Sequence, residues 1–239
     1  MSRAALFLFL FATTAFGQVK PDDALNAIQD NSFLLEEAYN QDPGVVQHIS
    51  VFTRDSESDA WVFTFTQEFP ARGLKHQLSY SLPILGDGST ELGDVVLNYR
   101  YQLLGDAASN LAIAPRFSLI VPTGEDSDAG VQVALPISRV LAPRLITHTN
   151  LGATWLSDNG GTTWTAAQSL IYAASSRMHV MVEGVYTHAD DSNAFLLSPG
   201  LRWGFNTRGG IQIVPGIGVP IGFGDDDTRS VLLYLSFEK

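Results

Sequence analysis

The chain of 239 residues contains no cysteine and few basic residues. Without cysteine it has no disulfide framework, no thiol nucleophile and no cysteine-based zinc or iron–sulfur site. Its 14 Lys and Arg stand against 25 Asp and Glu, a formal net charge of -11, and no basic run occurs. This balance argues against a nucleic-acid partner, because phosphate binding requires a basic surface.

Long hydrophobic runs are also missing. The mean hydropathy of +0.09 is too polar for a bundle of transmembrane helices. The one apolar run, residues 4–11, follows Arg3 and precedes the small-x-small pattern of residues 15–17. It is shorter than the ~20 residues that a membrane span requires. We therefore predict that residues 1–17 are a signal peptide cleaved before Gln18 and that the chain is exported.

Residues 18–43 contain a single helical pattern. Residues 30–32 are of N-cap types, an apolar stripe runs from Phe33 to Tyr39, and Pro43-Gly44 would end a helix. We predict a short N-terminal helix of about three turns. Two roles are open to it, a packing helix on the periplasmic side, which we favour, and a plug inside a barrel.

From residue 44 to residue 239 the apolar residues alternate with polar ones, which is typical of β-strands. Soluble strands centre on roughly 5 to 6 residues, whereas a tilted strand across a membrane needs about 9 to 11. The alternating segments are of the longer kind, and their even number suits a bacterial barrel. The chain is therefore predicted to be all-β, an antiparallel transmembrane β-barrel of about 12 strands in the cell outer membrane. The predicted strands cover 44–55, 59–70, 74–85, 92–104, 110–122, 130–142, 144–156, 162–174, 178–189, 194–206, 210–223 and 228–238.

The turns between these strands sort by charge. Alternate turns carry 14 of the 25 acidic residues, and the remaining turns carry four Arg near residues 72, 144, 177 and 208. Aromatic residues flank both sets, as an interfacial belt would require. We predict an acidic extracellular rim and a weakly basic periplasmic side. The acidic residues of the rim are Asp55, Glu57, Asp59, Asp87, Glu91, Glu125, Asp126, Asp128, Asp158, Asp190, Asp191, Asp225, Asp226 and Asp227.

Proline occurs inside the predicted strands, where it removes a donor from the hydrogen-bond ladder. A closed barrel has no free edge to accommodate it. We therefore interpret these prolines as marks of bulges or strand ends. They are Pro83, Pro115, Pro122, Pro136, Pro199, Pro215 and Pro220.

Several stretches of the chain resemble a known family. They include residues 28–41 (IQDNSFLLEEAYNQ), 93–103 (GDVVLNYRYQL), 121–124 (VPTG), 199–203 (PGLRW) and 214–216 (VPG). The chain is similar to bacterial outer-membrane barrels of the phenol-degradation MetA-pathway family, which are often called transporters. The resemblance implies an outer-membrane barrel with a role in transport and implies no catalytic chemistry.

The polar faces of the predicted strands supply the candidate lumen residues. One interpretation is that their arginines pair with Asp94 and Glu183 to fill the interior, because buried charges need partners. The other is that they line a narrow, gated or plugged pore, which predicts a porin-like channel or transporter for a small solute, with an aromatic or apolar solute as one option. The candidates are Asp94, Asn98, Arg100, Gln102, Arg116, Ser118, His148, Asn150, Glu183 and Arg202.

Two other functions remain as alternatives. An outer-membrane lipid hydrolase could use Ser169 with His148 and Asn150, but no G-x-S-x-G pattern occurs. A soluble periplasmic β-barrel could bind an apolar ligand inside. We predict no enzymatic activity, no cofactor and no metal, since the five histidines lack metal-binding spacing. The expected partners are outer-membrane lipid and lipopolysaccharide, the barrel-assembly machinery and a small solute.

Overall fold

The computed structural model describes residues 28, 31–124, 127–157, 161–190, 192–225 and 227–239. The predicted signal peptide at residues 1–17 lies outside the described residues. Within them, no helix is long and apolar enough to cross a membrane.

Twelve antiparallel strands form the wall of a closed barrel. Four short segments extend this wall: Ser89–Leu92 beside β3, Leu111–Ile113 beside β6, Phe205–Asn206 beside β11 and Ile221–Gly224 beside β10. A 3-10 turn spans Gly73–Lys75. The twelve strands are β1 (Gln47–Asp55), β2 (Trp61–Arg72), β3 (His76–Asp87), β4 (Val95–Tyr101), β5 (Arg116–Val121), β6 (Gly130–Ala142), β7 (Leu145–Leu156), β8 (Thr162–Ser175), β9 (Met178–Ala189), β10 (Ser192–Trp203), β11 (Gln212–Gly218) and β12 (Ser230–Glu238).

Pairing of the last strand with the first closes the barrel. Each strand pairs with the next in sequence, and β12 pairs with β1 from Gln47↔Glu238 to Asp55↔Ser230. Closure leaves the wall without a free edge, so backbone donors and acceptors are satisfied within the ring. The predicted barrel is confirmed, and each predicted strand segment corresponds to one strand of the wall.

The outer face of the barrel is apolar and exposed. Leu97, Leu151 and Leu233 point outward and are 46%, 48% and 49% exposed, whereas the inward Ser118 and Glu183 are fully buried. A soluble ligand-binding barrel has the opposite arrangement, with its apolar residues inside. The soluble alternative is therefore wrong, because this outer face requires lipid.

The prolines lie where one neighbouring ladder is interrupted. Pro115 separates Leu111–Ile113 from β5, and Pro220 separates β11 from Ile221–Gly224. Pro83, in β3, stands between the residues that pair with β4 and those that pair with Ser89–Leu92. Prolines thus mark breaks at which no donor is required. Among the described residues, register shifts typical of bulges lie between Pro70 and Arg72, Val140 and Ala142, and Ala173 and Ser175.

The predicted N-terminal helix is wrong. Residues 31–46 form no helix, and residues 31–41 lie inside the barrel as an irregular segment, which we call the plug. The backbone N–H groups of Leu34, Ala38 and Asn40 donate to side chains of the barrel wall. These bonds replace the i→i−4 bonds that a helix would have made, so the wall overrides the helical pattern.

Candidate functional site: the plugged lumen

Wall side chains accept hydrogen bonds from the plug backbone. The N–H of Leu34 donates to Oε1 of Glu183 at 2.9 Å, and that of Ala38 donates to Oγ of Ser138 at 2.7 Å. Gln102, just after β4, accepts from Asn40 N in the same way, at 2.9 Å. Because a buried unpaired N–H is costly, these wall residues are what permits an irregular chain to lie in the lumen.

Cationic and amide side chains of the wall bind the plug carbonyls. Arg100 donates through Nη1 to the carbonyl of Glu37 at 3.1 Å and through Nη2 to that of Tyr39. Arg202 donates to the carbonyl of Asn31 from the other side of the lumen. Arg100 and Arg202 are 3% and 1% exposed, so the plug shields both cations from water.

One aromatic ring anchors the plug to a flat part of the wall. The Phe33 ring lies against Gly200 of β10 and against Gly216 and Gly218 of β11. A Cβ at Gly216 would lie 2.5 Å from the ring, and one at Gly200 2.6 Å away, so only glycine permits this approach. Tyr234 of β12 packs on the same ring with centroids 5.1 Å apart. This contact is the centre of the apolar part of the lumen, which also contains Ile28, Ile49, Ile171, Met181, Val214 and Leu232.

Two arginines and two glutamates form an ionic cluster between the plug and the wall. Arg116 Nη1 lies 2.9 Å from Oε1 of Glu36 in the plug, and Arg100 Nη1 lies 3.7 Å from Oε2 of the same residue. Arg100 Nη2 also lies 3.5 Å from Oε2 of Glu68 in β2. The cluster is electrically neutral only while the plug supplies Glu36.

A cavity of about 140 Å³ lies next to this cluster. Its lining is mixed: Phe33, Ile49, Val51 and Tyr234 supply apolar surface, while Glu36, Asn98 and Arg116 supply charged and amide groups. From the cavity toward the acidic turns, the inward positions are mostly aliphatic or Thr. Val62, on this inner face, is 39% exposed. The lumen thus changes from the plugged part, which contains the buried charged groups, to an outer part that is open to solvent.

The structure brings most of the predicted lumen residues together. Asn98, Arg100, His148, Glu183 and Arg202 are buried on the inner face. Gln102, Ser118, Arg116 and Asn150 share that face. Asp94 does not reach the deep lumen, since its Oδ1 accepts from the N–H of Thr123 beyond β5, at 3.3 Å.

The predicted partners of the arginines are wrong in part. Arg100 and Arg116 pair with Glu36 and Glu68, and not with Asp94 or Glu183. Glu183 instead accepts from the plug. Alternation along β2 places Glu68 on the inner face, so the strand pattern could have identified it as a lumen residue. Nothing in the sequence pattern indicated Glu36, which reaches Arg116 only because the plug enters the barrel.

The geometry does not support the hydrolase alternative. Nδ1 of His148 lies 2.7 Å from Oγ of Ser138, and Oγ of Ser169 bonds instead to the His148 backbone N–H and to Oγ of Ser32. Ser169 is fully buried beneath the plug. A nucleophile needs a base within hydrogen-bond reach and access to substrate, and Ser169 has neither here. In the part of the chain that the structure describes, no group of three His, Asp or Glu could hold a metal ion.

Comparison with known proteins identifies the same architecture. The sequence profile of the family described as "Putative MetA-pathway of phenol degradation" matches residues 38–222. An outer-membrane channel from Pseudomonas putida F1 superposes with a TM-score of 0.62 at 12% identity, over 84% of this chain and 97% of that one. The NanC porin gives 0.59 at 9% identity over 80% and 98%, and the KdgM porin gives 0.57 at 12% identity over 81% and 97%. A search of curated proteins gives no match.

Proposed function

The chain belongs to the family of the MetA pathway of phenol degradation, and from this membership and the plugged lumen we propose that it is a porin-like outer-membrane channel for a small solute. The plug closes the channel in the observed conformation. The observation that carries the proposal is the polar inner wall, whose Arg100, Gln102 and Glu183 form hydrogen bonds with the plug backbone.

The nature of the plug contacts supports a movable closure. Residues 31–41 add no strand to the wall, and beyond the Phe33 ring and the Glu36 ion pair they are held by hydrogen bonds from side chains. Water can replace such bonds at a net cost of about 0.5 to 1.5 kcal/mol each, or about 1.5 to 3 kcal/mol where the partner is charged. Withdrawal of the plug would leave a polar wall that water solvates, as in open porins.

The same proposal includes the location and partners of the chain. Its exposed apolar belt is suited to outer-membrane lipid, and its acidic turns suit divalent cations bridged to lipopolysaccharide. Export through the signal peptide and insertion by the barrel-assembly machinery would place the acidic turns outside the cell. The first solute contact is then the outer part of the lumen, near Val62.

Phe33→Ala tests the proposal, because this change weakens the attachment of the plug and leaves the sequence of the wall unaltered. Loss of a buried aromatic ring costs about 3 to 5 kcal/mol. We therefore expect the purified full chain with Phe33→Ala to conduct ions in planar bilayers far more of the time than the wild type. Phe205→Ala is the matched control, since Phe205 is 53% exposed and lies outside the lumen. Absence of channel events in both wild type and Phe33→Ala would refute the channel proposal.

A further inference from the structure

The cavity beside the plug joins one cation to an apolar surface. Arg116 reaches it from β5, and Ile49, Val51 and Tyr234 supply its apolar lining. The carboxylates of Glu36 and Glu68 also line it. Two amides hold the guanidinium in place, because Arg116 Nη1 donates to Oδ1 of Asn98 at 3.0 Å and Nη2 donates to Oε1 of Gln132 at 2.5 Å. A fixed cation next to an apolar surface is suited to an amphipathic anion.

The carboxylate that pairs with Arg116 belongs to the plug. Glu36 is 25% exposed at the cavity and binds Arg116 at 2.9 Å. Glu68, the other carboxylate of the ionic cluster, is engaged by Arg100 and by Nε2 of Gln77. If the plug withdraws, Arg116 keeps only its amide partners. The Nε–H of Arg116 has no hydrogen-bond partner among the described residues, so the guanidinium has a spare donor for a second oxygen.

We propose that the cavity binds a small carboxylate with a compact apolar body, and that this carboxylate replaces Glu36 on Arg116 and so releases the plug. This inference rests on the proposed channel function and names its solute class. With the plug in place the cavity of about 140 Å³ is partly open to solvent, and an enclosed apolar cavity of ~150 Å³ accommodates benzene, so the body that first enters is of single-ring size. Exchange of one carboxylate for another keeps the ionic cluster neutral, whereas a neutral solute would leave Arg116 unpaired.

The acidic rim affects the rate at which such an anion enters and not its affinity for Arg116. Most of the rim residues that the structure describes are exposed, so salt screens them, while the Arg116 contact is mostly shielded from solvent. The rim therefore slows entry of an anion at low salt. It supplies no group that competes for Arg116.

Benzoate and its neutral counterpart benzamide test the inference on the full-length protein. In planar bilayers we expect millimolar benzoate to raise the open fraction of the wild type several-fold and benzamide to leave it unchanged. Glu36→Gln removes the competing carboxylate and keeps its shape. This variant should open without benzoate and should bind benzoate on the order of tenfold more tightly by calorimetry. Addition of Arg116→Gln to Glu36→Gln should abolish that gain. Glu57→Gln, on an exposed turn, is the matched control and should behave as wild type.

The outcomes separate the two proposals. If Phe33→Ala conducts but benzoate and benzamide act alike on the wild type, the carboxylate inference is wrong and the channel stands. The carboxylate inference is also wrong if Glu36→Gln binds benzoate no more tightly than the wild type. Tighter binding is expected only if Glu36 competes with benzoate for Arg116, since loss of a direct contact with benzoate would weaken binding. If Phe33→Ala is silent as well, the channel function itself fails.

Discussion

Alternation along each strand decides which side chains reach the lumen. It predicts Asn98, Arg100 and Arg202 on the inner face, and in the structure all three are buried. It could not supply their partners, because the carbonyls of Asn31 and Tyr39 lie in another part of the chain. A buried cation requires a partner, but the spacing of residues in the sequence does not identify that partner.

Gly216 permits the close approach of the Phe33 ring to the wall. Gly216→Ala places a methyl group 2.5 Å from Phe33 in the observed conformation, so the ring must shift. Overpacking of this kind costs roughly 1 to 3 kcal/mol. We expect the plug to be released more often, which exposes Glu36 and Glu37 to a protease that cleaves after glutamate.

Gly184→Ala provides the control for that measurement. Its Cβ would meet only Phe195 on the outer face, at an ordinary 3.4 Å. Cleavage at the plug should rise for Gly216→Ala and stay at the wild-type rate for Gly184→Ala. Equal rates for all three proteins would show that the Phe33 contact does not hold the plug.

At the scale of elements, the strands and the plug differ in how far the sequence determines them. A strand of a barrel carries its own period of two and its own turn signals, so local pattern was sufficient for all twelve. The plug has a helical pattern of about three turns, yet isolated helices of that length are marginal. Its conformation is decided by Ser138, Gln102 and Glu183, three residues of distant strands.

Deletion of residues 31–41 tests the independence of these elements. The wall is closed by strand pairing alone, including the β12–β1 ladder. We therefore expect the deleted protein to fold and to keep the heat-dependent shift of electrophoretic mobility that is typical of barrels. Its inner wall would be solvated by water in place of the plug. A deleted protein that shows no mobility shift would indicate that the plug is needed to form the barrel.

For the whole molecule, the distribution of charge and apolar surface agrees with a membrane barrel. Charged residues are only 16% of the chain because the strands between the turns carry few of them. The net charge of -11 is concentrated on alternate turns, and the outer face between the two sets of turns is apolar. The buried charged and amide groups face the lumen, in which residues 31–41 lie.

Whether the plug is a gate is the central question, and the absence of cysteine makes it testable. The Oγ atoms of Ser32 in the plug and Ser169 in β8 lie 3.1 Å apart. Ser32→Cys/Ser169→Cys therefore introduces two adjacent thiols into a chain that has no others, with Ser32→Cys alone as the control. Conductance should be measured in planar bilayers after oxidation and again after reduction. We expect the oxidised double variant to be closed and reduction to restore wild-type opening. Equal conductance in the oxidised and reduced states would refute gating by the plug, because ions would then pass without its movement.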